Sequence, residues 1–213
     1  MDELKDDITD QIDKAVAVLK GGGVIAFPTE TSYGLGALID KPQALKKIFF
    51  IKDRPSYKPL LVLIPDRSFL NRLVSHISDE ARLLMDNFWP GPLTLLFPAI
   101  SGLDNALVAD TGKIGIRISS DMIATELCKR CNSAITATSA NLSGKAPCVS
   151  YEEIKRDLIP RGLDFVIDKG IINKGLPSTI LDVSVSPPLL VRVGAISIDE
   201  IKKVVPIQEN LLV

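Results

Sequence analysis

The chain has 213 residues, room for one large domain or two small ones, and its 46% hydrophobic against 24% charged residues allow a real core, which excludes disorder as its main state. Its 25 Lys and Arg against 26 Asp and Glu give a formal net charge of -1, so any phosphate or nucleic-acid site has to be a local basic patch. Three cysteines build no disulfide framework, the acidic start Asp2, Glu3, Asp6, Asp7, Asp10 is the reverse of a secretory leader, and no apolar run approaches the ~18 residues that cross a bilayer. A cytoplasmic protein in a reducing compartment, with no membrane partner, is the expectation.

Ile8, Ile12, Val16 and Leu19 recur at helical spacing, and Gly21-Gly22-Gly23 supply the left-handed stop that such a helix needs. Val24 to Phe27, closed by Pro28, predicts a strand buried on both faces. Pro42 then opens a helix through Ala44, Leu45 and Ile48. Further strands are predicted at 60–64, 93–97, 114–118, 134–137, 165–167, 179–183 and 189–193. Between them, Asp79 and Glu80 open a helix from Ala81 to Phe88, and another runs from Met122 to Lys129. Ser150 with Glu153 and Ser197 with Glu200 each spell a capping box, the last helix stopping near Pro206. Strands interleaved with helices, without linker or repeat, predict one α/β domain over 1–213, its core at about 8–205, with a mixed sheet and flanking helices.

Three polar stretches adjoin these strands. Pro28-Thr29-Glu30-Thr31-Ser32-Tyr33-Gly34-Leu35-Gly36 leaves the first, where α/β proteins place ligands; it reads either as a loop for a small polar molecule or as an ordinary hydroxyl-rich strand exit. It lacks the third glycine of a dinucleotide fingerprint. Lys52, Arg54 and Lys58 lie in one short segment with Pro55 and Pro59, which are expected to hold it extended. Lys52 and Arg54, two apart, would then face one ligand, with a polyphosphate as the natural guest and a solvated basic turn as the alternative. In Thr136-Ala137-Thr138-Ser139-Ala140-Asn141-Leu142-Ser143-Gly144-Lys145, Ser139 and Asn141 offer a hydroxyl and a carboxamide suited to phosphate, ribose or base edges, or else form a plain turn. Arg117 and Arg192 sit inside strand-like runs, which calls for an anionic ligand or for pairing with Asp110, Asp168 or Asp182.

Several chemistries fall away. His76 is the only histidine and no segment resembles a nucleophile elbow, which argues against a Ser-His-Asp or Cys-His engine. Cys128 and Cys131 form C-x-x-C inside a predicted helix, with only Cys148 and His76 left to complete a zinc set, so structural cysteines are expected. Without a covalent nucleophile, the protein would align and neutralise substrates that react with each other.

Pro28 to Gly36, Lys52-Asp53-Arg54-Pro55 with Lys58-Pro59-Leu60, Trp89-Pro90-Gly91-Pro92-Leu93-Thr94, Ile116-Arg117, Ser139 to Gly144, Gly175 to Ile180 and Arg192-Val193-Gly194 together resemble, in order, the motifs of the YrdC-like family of threonylcarbamoyl-AMP synthases over roughly residues 15 to 205. The resemblance implies a twisted α/β fold with an open, positively charged concavity. It also implies a reaction in which L-threonine, bicarbonate and ATP yield threonylcarbamoyl-AMP and diphosphate, toward N6-threonylcarbamoyladenosine at position 37 of tRNA. Lys52, Arg54, Ser139 and Asn141 would hold ATP, with Lys58 and Arg192 assisting, and Thr31, Arg117, the backbone at Ala137 and Ser178 would bind threonine. Mg²⁺ would accompany ATP without a protein ligand that the sequence assigns. A downstream threonylcarbamoyl-transferase would take the product. Alternatives are a non-enzymatic double-stranded RNA or tRNA-binding module, and a paralogue with another substrate.

The chain departs from the family pattern in three places. Leu63 lies in the stretch where part of the family has a histidine, Ala146-Pro147-Cys148 replaces a Ser-Pro, and Pro177-Ser178-Thr179 replaces Glu-Ser-Thr.

Overall fold

A computed structural model of the protein describes residues 6–172 and 175–209. All eight predicted strands form, each within two residues of its expected ends. In chain order they are β1 (Ile25–Pro28), β3 (Val62–Leu63), β4 (Leu93–Pro98), β5 (Lys113–Arg117), β6 (Ile135–Thr136), β8 (Phe165–Val166), β9 (Thr179–Asp182) and β10 (Leu189–Arg192). Three more were not foreseen: β2 (Tyr33–Gly36), β7 (Thr138–Ser139) and β11 (Gln208–Glu209). β2 returns antiparallel on β1, with Phe27 opposite Gly34. The stretch read as one polar loop is therefore a tight hairpin, and only Thr29 to Ser32 form its turn.

The expected single mixed sheet is two mixed sheets, in the orders β7-β2-β1-β8 and β11-β10-β9-β4-β5-β3-β6. The division occurs where β6 pairs with β3 and, one residue later, β7 pairs with β2. Ala137 alone separates those strands, and its N–H is held by Leu61 O at 2.8 Å. A two-residue strand carries no hydrophobic period of its own, so the crossing cannot be read from the sequence.

Helices close both sheets. α1 (Asp6–Lys20) packs Ile12, Ala15 and Leu19 against Leu127 and Cys128 of α5 (Met122–Cys131) and against Ile25 and Phe27 of β1. α3 (Asp79–Phe88) is capped by Ser78 Oγ accepting from Ala81 N–H. α4 (Asn105–Val108) is a single turn. Ser150 caps α6 (Tyr151–Asp157) by accepting from Glu153 N–H, although the Glu153 carboxylate turns to Val149 N–H. Ser197 and Glu200 make the complete reciprocal box on α7 (Ile198–Lys202), which ends short of Pro206. No helix among the described residues is long and apolar enough to cross a membrane.

The helix α2 (Pro42–Lys52) overturns one expectation. Leu45, Ile48 and Ile51 are all buried on it, so the apolar stripe carries the helix up to Lys52 instead of leaving that residue in an extended segment. Asp53 follows in the left-handed conformation at φ 52°, and the chain turns again where Lys58 N–H bonds Pro55 O. Lys52 and Arg54 therefore do not alternate along a strand; a helix end separates them.

Candidate functional site

A cavity of about 410 Å³ opens at the seam between the sheets. Its walls come from the β1–β2 turn (Thr29, Thr31, Ser32), Leu61 to Leu63, Thr94 of β4, Arg117 of β5, the β6–β7 crossing with Ala137 and Ser139, and Pro177, Ser178 and Arg192 from the far side. Among the described residues, four cations, Arg54, Arg117, Lys145 and Arg192, line it, and no carboxylate does.

At one end Arg117 is buried at 6% exposure. Its Nη1 donates to Glu30 Oε1 on the β1–β2 turn, and Ser119 Oγ donates to the other oxygen of the same carboxylate. Burial lowers the Arg117 pKa, while the Glu30 charge and hydrogen bond act to hold it up. The partner is thus Glu30 and none of the three aspartates expected. Asp182 is taken by Lys113 at 2.5 Å, Asp168 accepts from Gly170 N–H at 2.8 Å, and Asp110 is exposed. The signal for Glu30 was its place in the turn directly after a buried strand. Beside it, Thr29 Oγ1 donates to Ser32 O at 2.7 Å and lies 3.1 Å from Thr31 Oγ1, which fixes the Thr31 hydroxyl at the cavity wall.

Opposite, Ser178 Oγ lies 2.9 Å from Thr94 Oγ1, a buried hydroxyl that sequence reasoning left unassigned. Arg192 Nη2 donates to Ser178 O at 2.8 Å and to Ser178 Oγ at 3.1 Å. Arg192 therefore pairs with no aspartate either. It is on the exposed face of β10, where the Ser178 carbonyl and hydroxyl accept from it. Partial burial and then the nearby Arg117 charge lower its pKa.

The third wall holds the residues expected to meet ATP, and it separates them. Lys52 is 2% exposed and does not line the cavity. Its Nζ donates to Ser139 O, to Asn141 O at 2.9 Å and to Asn141 Oδ1 at 3.0 Å. Asn141 Oδ1 also accepts from Ser139 Oγ at 2.5 Å, and Asn141 Nδ2 donates to Leu142 O at 2.9 Å and Lys145 O at 2.6 Å. Lys52 thus meets Ser139 and Asn141, both of which also line the cavity. Arg54 lines the cavity while its Nε and Nη2 donate to Lys58 O at 3.0 Å and Pro59 O at 2.9 Å. Lys58 is exposed, its ammonium 5.9 Å from the centre of the Tyr57 ring, and it is not part of the wall.

The departures cluster here too: Leu63, Pro147 and Pro177 all line the cavity. His76 is exposed, and Cys128 and Cys148 are buried, with burial pushing both thiols above their ordinary value. No group of three or more His, Cys, Asp or Glu among the described residues is placed to hold a metal ion.

Fold and cavity together define an α/β protein with a seam site lined by cations and hydroxyls. The profile of the Sua5, YciO and YrdC family, described as "Telomere recombination", matches residues 17–194, and the chain belongs to that family. It is 39% identical over 196 residues to a threonylcarbamoyl-AMP synthase of Bacillus subtilis, covering 92% of this chain and 56% of that protein. It is 36% identical over 191 residues to one of Pyrococcus abyssi, covering 90% and 56%. A crystal structure of P. abyssi Sua5 complexed with L-threonine superposes with a TM-score of 0.89 at 34% identity, covering 97% of this chain and 61% of that one. The chain thus spans little more than half the length of these relatives.

Proposed function

We propose that this chain synthesises threonylcarbamoyl-AMP from L-threonine, bicarbonate and ATP. The observation that carries the reading is that Arg117 with Thr31, and Arg54 with Ser139 and Arg192, face one cavity of about 410 Å³, so an amino acid and a nucleotide can be held against each other.

The chemistry asks for that arrangement. Threonine's amine adds to CO₂ derived from bicarbonate and releases a proton, giving a carbamate. A carbamate oxygen then attacks the α-phosphorus of ATP, a P–O bond forms, and the bond to the β-phosphate breaks to release diphosphate. Both reactants are anions, so positioning and charge neutralisation supply the rate. Arg117, oriented by Glu30, keeps Nε and Nη2 for the threonine carboxylate. Thr31 and Ser178 meet the threonine hydroxyl, and the Ala137 carbonyl stands beside the amine; the Ala137 N–H is already committed to Leu61 O. Arg54 and Arg192 flank the phosphates, while Ser139, whose hydroxyl hydrogen is given to Asn141, keeps acceptor capacity for a donor on the nucleotide such as a ribose hydroxyl. Mg²⁺ would accompany ATP as part of the substrate and supply further charge neutralisation at the phosphates. The product would pass to a tRNA-modifying threonylcarbamoyl-transferase in the cytoplasm.

The test is diphosphate release by purified protein with ATP, Mg²⁺, bicarbonate and threonine. Release above a no-threonine control supports the reading, and none above it defeats it.

A further inference from the structure

Lys52 makes more contacts with the Ser139 to Lys145 loop than with any ligand space. A protonated lysine has three donors, and all three are used: Ser139 O, Asn141 O and Asn141 Oδ1. Its main chain holds the same loop, since Lys52 O accepts from Ser143 N–H at 2.7 Å. The helix end that carries it is itself clamped, with Arg161 Nε donating to Ile51 O at 2.7 Å and Arg161 Nη2 to Phe50 O at 3.2 Å.

Lys145 is built in the opposite way. It is exposed and lines the cavity. Its ammonium enters none of the ion pairs or side-chain hydrogen bonds formed among the described residues, and its carbonyl is tied to Asn141 Nδ2 at 2.6 Å. The loop that Lys52 anchors therefore ends on the cation that faces the cavity.

Building on the proposed reaction, we infer that Lys52 is a positioning residue and that Lys145 is the lysine that meets the phosphates of ATP. Lys52, through Asn141, holds the loop's backbone so that Lys145 lines the same cavity as Arg54 and Arg192. A nucleotide phosphate gains a charge-assisted contact from Lys145 without having to pull a buried ammonium away from three acceptors.

Lysine acetylation of the wild-type protein, read by mass spectrometry with and without saturating Mg-ATP, tests both halves. Lys145 is expected to react in the free protein and to be protected by nucleotide, and Lys52 to stay unmodified in both. Calorimetry with ATP at low and high salt adds a second readout. Lys145→Met should weaken ATP binding about tenfold at low salt and flatten its salt dependence. Lys52→Met should keep the wild-type salt dependence and speed amide exchange of Ser143 and Lys145 without ligand. The assignment is overturned if Lys52 is the lysine that nucleotide protects, if Lys145 reacts equally with and without it, or if Lys52→Met flattens the salt dependence. Should Lys52→Met not fold, the wild-type footprint still decides. Wild-type protein that binds no ATP would instead defeat the proposed function, and Lys52 reactivity in the free protein would then decide its positioning role alone.

Discussion

Arg117 at the end of β5 and Glu30 on the β1–β2 turn are 87 residues apart in the chain and hydrogen-bonded across the seam between the two sheets. This pair joins the larger sheet to the smaller one at the cavity floor, with Ser119 completing the carboxylate's contacts. A buried pair of this kind says little about net stability, but loss of one member strands the other.

Glu30→Ala should therefore cost about 3 kcal/mol or more of folding stability and raise the KM for threonine more than that for ATP, because Arg117 loses its orientation at the amino-acid end. Urea unfolding and steady-state kinetics with each substrate varied would check it. Equal effects on both substrates would contradict the placement.

Thr31 is 9% exposed at the cavity wall, and its hydroxyl is the group proposed to separate threonine from valine. Thr31→Val should reduce that preference by ~1–3 kcal/mol, or roughly fivefold to 150-fold. Competition between the two amino acids in diphosphate release measures it, and an unchanged ratio would assign the discrimination elsewhere.

Lys52 gives a pH dependence with a definite sign. Burial first, and then the charge of Arg54, draw its pKa down to about 7, whereas an unfolded lysine titrates near ~10.4. Between those values the unfolded chain holds more protons, so this group makes stability rise with pH across the window, and the full burial cost is felt below pH 7. Lys52→Met lacks that contribution. Urea midpoints at about pH 7 and about pH 9.5 should rise more in the wild type than in the variant, and parallel profiles would mean that the amine is not titrating there.

Gly194 packs its α-carbon against the backbone of Pro177 and Ser178, just before β9. A Cβ there would stand 2.1 Å from Pro177 O and 2.6 Å from Ser178 C, both backbone atoms that cannot swing aside. Gly194→Ala should lose roughly 1–3 kcal/mol of stability and impair threonine-dependent diphosphate release, since Ser178 is the residue displaced. A variant with wild-type stability and activity would show that the site tolerates the shift.

The amino-acid sequence by itself determined the element pattern, because apolar stripes at helical spacing, short β-branched runs and the Ser-x-x-Glu caps act over a few residues. Ser197 with Glu200 formed the full box where it was read, and α3 opened at Asp79 and α5 at Met122, as read. Its ordered motifs also singled out Thr31, Arg54, Arg117, Ser139, Asn141, Ser178 and Arg192, residues that line one cavity in the structure. Only the tertiary structure decided that Arg117 answers to Glu30, that Ala137 carries the chain between two sheets, and that Lys52 turns inward while Lys145 faces out. Those outcomes depend on which burial leaves which polar group in need of a partner, and a hydrogen bond spanning 87 residues leaves no periodic trace in the chain that makes it.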